Sequence, residues 1–211
     1  THDFSTHLGI TDHRRTALAL AGWWHDAGRT ITRNPSMLWM PFFDDIISSI
    51  MLWRTMRRFH ASNIITKLAA RIIICKSLGT GAVLTRLLMA KKDRILVDIL
   101  KDADALDVLN QQRMVKLLPL VASSRLYHFG YKTVIRWFVT SEQLYMNTDP
   151  ARAEAEEMLR MFLTWIQETT IFMWHVDQFG EDWVENMLAK AEVMLRRITT
   201  TNATTVVVIS V

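Results

Sequence analysis

A His-Asp doublet at the end of an apolar helix constrains this chain more than any other feature. In Leu20-Ala21-Gly22-Trp23-Trp24-His25-Asp26-Ala27-Gly28-Arg29 the helical run closes on an imidazole and a carboxylate side by side. A carboxylate taken out of water needs an ion-pair partner or a metal, and neutral imidazole is the commonest side-chain metal ligand. Neighbours in a last turn lie about 100° apart around the axis, so both lean toward one rim of a cleft.

The chain offers a downstream partner in Leu100-Lys101-Asp102-Ala103-Asp104-Ala105-Leu106-Asp107, where carboxylates are set among apolar helix positions. Asp104 follows Leu100 by one turn, which places it at the edge of the apolar face, turns Asp102 away and leaves Asp98 solvated. An acid on that face has few explanations other than ligation or pairing.

These residues resemble the HD-domain metal-dependent phosphohydrolase superfamily over roughly residues 12–110. The resemblance implies an all-α, HD-domain-like helical bundle, here with additional C-terminal helices. It also implies that His25, Asp26 and Asp104 ligate one divalent ion (Mn, Fe, Co, Zn or Mg) and that Asp26 and Arg29 act in catalysis. Arg29, with Lys76 and Lys101, would meet substrate phosphate. The family's first His lies on a preceding helix, for which His2, His7 and His13 are the candidates. Cys75, in Ala70-Arg71-Ile72-Ile73-Ile74-Cys75-Lys76, stands where many members place a further His, which favours one metal over two.

Composition is compatible with this reading. The 211 residues are half hydrophobic and 22% charged, the balance of a folded chain with room for a sizeable core. Twelve Met and eight Trp read as core filling. The single Cys excludes an internal disulfide and suits a reducing compartment. No apolar run reaches the ~18 residues of a membrane span, and no basic stretch followed by an apolar one marks a signal peptide. A cytoplasmic location is expected. The net charge of +4 is modest, and Arg54, Arg57, Arg58, Arg196 and Arg197 suit helix C-termini, so nothing points to nucleic acid.

Residues 1–11 read as irregular chain. Thr11 or Asp12 caps a helix ending at Gly28, which supplies a left-handed terminus. Asn34-Pro35-Ser36 is a turn. Helical spacing then runs from Phe42 to Arg58, with Asp44 and Asp45 in the first turn, and from Ser62 to about Lys76. Gly79-Thr80-Gly81 is a loop without the Lys-Ser or Lys-Thr ending of a phosphate loop. A short apolar segment spans Leu84–Met89, and Asp93 opens the helix bearing Asp104. Further on, Met114–Val121 is stopped or kinked by Pro119, and Tyr131–Met146 is amphipathic. Asp149-Pro150 starts a long helix toward Trp174, and the last helix runs from Gly180 to about Arg197. His60, His128 and His175 read as structural or surface residues.

The expected organisation is therefore a single domain over residues 1–211. Its motif-bearing part covers about 12–110 and a helical extension about 111–198. The β-branched tail at 199–211 prefers an extended conformation. The expected activity is hydrolysis of a nucleotide or other small phosphate ester, with homo-oligomerisation left open. The alternative is an HD scaffold without chemistry that binds or senses a nucleotide.

Overall fold

A computed structural model describes residues 10–31, 40–77, 80–140 and 146–209. The expected Asn34-Pro35-Ser36 turn, the first nine residues with His2 and His7, and the end of the tail lie outside that set. The described residues carry ten α-helices and no strand, so the fold is all-α. None of these helices is long and apolar enough to cross a membrane.

The chain clusters into two compact units, Thr1–Ala103 and Asp104–Val211. The first unit is built from α1 (Asp12–Trp24), α2 (Met40–Arg58), α3 (Asn63–Lys76), α4 (Gly81–Leu88) and most of α5 (Arg94–Asp107), with short 3-10 turns at Ala27–Ile31 and Lys91–Asp93. Helix α3 packs against both α1 and α2, and the Ala27–Ile31 turn packs on α2. Ala17, Leu18 and Ala21 from α1, Leu52 from α2 and Ala69, Ile72 and Ile73 from α3 form the buried core. Small residues at Ala17, Ala21 and Ala69 allow close approach of the helices.

The second unit holds α6 (Gln111–Ser123), α7 (Arg125–Thr140), α8 (Asp149–Gln167), α9 (Thr169–Phe179) and α10 (Glu181–Ile209). Helix α10 packs along α7, α8 and α9. Ala151, Ala155, Leu159, Phe162 and Ile166 form one buried stripe at helical spacing on α8. Asn110 caps α6 by accepting from the Arg113 N–H at 3.2 Å.

Four local expectations are corrected. The long helix from Asp149 toward Trp174 breaks at Glu168, whose ψ of 129° is extended; two β-branched residues, Thr169 and Thr170, follow it and open α9. Helix α10 continues through the β-branched tail to Ile209, because adding one residue to an existing helix costs such residues only about half a kcal/mol each. Pro119 does not stop α6, which runs on to Ser123. On α5 the faces are exchanged: Asp102 is 1% exposed whereas Asp104 is partly exposed. The stripe through Leu96, Ile99, Leu106 and Leu109 carries Asp102 inward, three residues after Ile99 and four before Leu106.

Candidate functional site

Helix α1 ends at Trp24, and His25 is its C-cap, with φ −59° and ψ −30°. The imidazole folds back on its own helix, and Nδ1 lies 2.8 Å from the Gly22 carbonyl oxygen. A carbonyl only accepts, so Nδ1 carries a proton. Nε2 lies 3.6 Å from Oδ1 of Asp26. The same Oδ1 is buried and has no hydrogen-bond donor among the described residues.

The other Asp26 oxygen, Oδ2, is 3.1 Å from Arg29 Nη1, and Arg29 Nε donates to Asp44 Oδ2 at 3.0 Å. One guanidinium therefore bridges the turn after α1 and the start of α2. Asp44 and Asp45 are 3% and 4% exposed. The Asp45 N–H donates to Asp44 Oδ1 at 2.9 Å, and Lys76 Nζ from α3 lies 3.7 Å from Asp45 Oδ1. The buried charges of Asp44 and Asp45 are thus matched by Arg29 and Lys76.

Gly28 fastens the turn to α2. Its N–H donates to Ser48 Oγ at 2.7 Å, and a Cβ on it would sit 2.7 Å from the Asp44 carbonyl oxygen. The expected left-handed helix end is not what requires glycine here, since Gly28 lies in a 3-10 turn without positive φ. What requires it is the close approach of two backbones.

His25, Asp26 and Arg29 are brought together, and Asp44 joins them through Arg29. Lys76 is turned inward onto Asp45 with its side chain 8% exposed. Lys101 acts electrostatically on Cys75 and Asp98. Asp104 opens the second unit. Among the described residues no three His, Cys, Asp or Glu side chains converge as a metal-holding group.

No family model, curated protein or solved structure matches the chain.

Cys75, where the resemblance would place a further His, is fully buried. Burial pushes its thiol above the ordinary range, opposed by a hydrogen bond with Thr85 and by Lys101 and Arg71. It is a neutral packing residue, as its apolar setting suggests. Asp98 is likewise raised by burial, with Lys101 opposing and Asp102 adding to the shift. Asp98 is therefore not the freely solvated acid that its helix position suggested, because it is partly buried.

Proposed function

We propose that this chain is an HD-type metal-dependent phosphohydrolase acting on a nucleotide or other small phosphate ester. The observation that carries the proposal is the orientation of His25. Its Nδ1 is tied to the Gly22 carbonyl, which presents Nε2 toward the donor-free Oδ1 of Asp26 at 3.6 Å. A ligating His is ordinarily fixed through its other ring nitrogen in this way. The donor set, one imidazole and carboxylate oxygen, suits Mn, Fe, Co, Zn or Mg.

Bound there, a divalent ion supplies Lewis acidity toward a phosphoryl oxygen and a water. Gly22 fixes the imidazole tautomer. Arg29 holds Asp26 in place through Oδ2 and, being 38% exposed, presents guanidinium N–H groups toward a phosphate. Asp44 positions Arg29 from below.

The bridge made by Arg29 also favours a second reading. A carboxylate already paired with an arginine suits a scaffold that binds a nucleotide without turning it over. Elemental analysis after incubation with Mn(II) and dialysis separates the two. The enzyme reading expects about one ion per chain, greatly reduced in His25→Ala and Asp26→Asn, and phosphate released from a panel of nucleoside monophosphates. Asp104→Ala tests the third ligand that the resemblance implies, and loss of the ion is expected. No retained ion, with nucleotide binding intact, supports the scaffold reading and overturns the first.

A further inference from the structure

Helix α2 is inverted relative to an ordinary surface helix. Its inward side carries Asp44, Asp45, Ser48 and Ser49 alongside Leu52, all buried. Those polar groups are used inside the unit: Ser48 Oγ accepts from the Gly28 N–H, and Ser49 Oγ donates to the Ala70 carbonyl oxygen at 3.0 Å. Its outward side carries Phe43, Ile46 and Ile50, all exposed. The same stripe continues at helical spacing through Arg54 and Arg57, a run of about 21 Å. Single apolar residues on a surface need no explanation, whereas an apolar stripe at this spacing is the docking face of an amphipathic helix.

Charge selects the occupant. Nine Lys and Arg and no Asp or Glu lie between Asp45 and Asp93. Lys76 is taken up by Asp45, but no ion pair among the described residues engages Arg54, Arg57 or Arg58. Lys67 Nζ lies 6.0 Å from the centre of the Trp53 ring, which brings a cation of α3 beside the last turns of α2. At the junction of the two helices Phe59 and Ile64 are 76% and 74% exposed, so the basic end is apolar as well.

A second copy would set the same acid-free, basic face against this one and be repelled. A nucleic acid matches the cations but offers no apolar medium to Ile46, Ile50 and Ile64. An anionic bilayer supplies both, charged headgroups for the guanidiniums and the acyl-chain boundary for the apolar side chains. We propose that the outward face of α2, together with its junction with α3, binds the surface of an anionic membrane, with α2 lying along the interface and not crossing it. The inference stands independently of the metal chemistry proposed for the same unit.

The test is co-sedimentation of the full chain with vesicles of phosphatidylcholine, alone or with about 30% phosphatidylserine. Binding to the anionic vesicles is expected, at least about 10-fold above that to phosphatidylcholine and weakening as salt is raised to about 0.5 M. Arg54→Gln, Arg57→Gln and Arg58→Gln together should weaken it about 100-fold, roughly 5-fold for each charge. Ile46→Ser with Ile50→Ser should weaken it about 10-fold through lost apolar burial. These positions are all exposed, and circular dichroism checks that each variant keeps its helices. Should the double Ile variant unfold, Phe59→Ser at the exposed junction takes its place. Absence of binding to the anionic vesicles, or binding that the apolar substitutions leave unchanged, overturns the inference. So does tighter binding to a DNA duplex than to the vesicles, or a dimer in gel filtration that the Ile substitutions abolish while vesicles are not bound.

Discussion

Arg29 joins Asp26 to Asp44 through two edges of one guanidinium, Nη1 to Oδ2 of Asp26 at 3.1 Å and Nε to Oδ2 of Asp44 at 3.0 Å. The local i,i+3 pair is exposed enough to contribute little, but the Asp44 carboxylate is 3% exposed and depends on its partner. Breaking a fully buried pair costs roughly 3–5 kcal/mol, and the partial exposure of Arg29 reduces this to about 2–3 kcal/mol. Arg29→Met should therefore lower the urea midpoint clearly. Arg29→Lys should recover only part of the loss, since a single ammonium cannot span both carboxylates as the planar fork does.

Gly28 sets a steric limit on the same turn. With a Cβ only 2.7 Å from the Asp44 carbonyl oxygen and 3.0 Å from Ser48 Oγ, Gly28→Ala forces the turn away from α2. The expected loss is about 1–3 kcal/mol, the range of overpacking, read as a fall in melting temperature. The displacement should also weaken the Arg29 bridge, so Gly28→Ala and Arg29→Met combined should destabilise by less than the sum of the two.

The all-α class, the helix bearing the doublet and the Asp149-Pro150 start are local signals, carried by apolar periodicity and by turn chemistry within a few residues. The partners of that doublet are not local. Asp44 looks in sequence like any acid in a helix first turn, and its burial beneath Arg29 depends on α2 crossing the turn. Lys76, which the resemblance casts as a phosphate contact, likewise has nothing near it in sequence to announce that α3 places it against Asp45. Asp102 and Asp104 exchanged roles because a two-residue offset on a helix is about 200°, and the phase is set by Leu106 and Leu109 as much as by Leu100. The Glu168 break carries no proline or glycine to announce it.

Lys76 and Asp45 form the second buried pair, with side chains 8% and 5% exposed and 3.7 Å between Nζ and Oδ1. Lys76→Met should destabilise by roughly 3–5 kcal/mol, because a buried carboxylate loses its ammonium. Asp45→Leu combined with Lys76→Met should restore much of that loss, as apolar replacement of a whole buried pair is often neutral. A double-mutant cycle on urea midpoints measures the coupling.

His175 supplies the pH-dependent prediction. Burial lowers its basicity below the ordinary imidazole value, opposed by the hydrogen bond to the Ile171 carbonyl. The folded state therefore resists protonation that the unfolded chain accepts. Stability from this group is complete above about pH 6.5 and falls as the pH drops below it, with a limiting slope of about 1.4 kcal/mol per pH unit until the lowered folded value is reached. The ring resonances of His175 should stay in the neutral form at pH values where an exposed imidazole is half protonated, which an NMR titration reads directly. Tyr131→Phe removes the hydroxyl that donates to Nε2 and should cost about 1–2 kcal/mol near neutral pH, since a buried acceptor loses its donor. The loss should shrink at lower pH: without the phenol, water admitted to the freed Nε2 makes protonation of the folded imidazole easier, so the folded state resists acid less strongly than in the unaltered chain. A titration of His175 that follows the ordinary imidazole curve in the unaltered chain would show that the ring is not held neutral by burial.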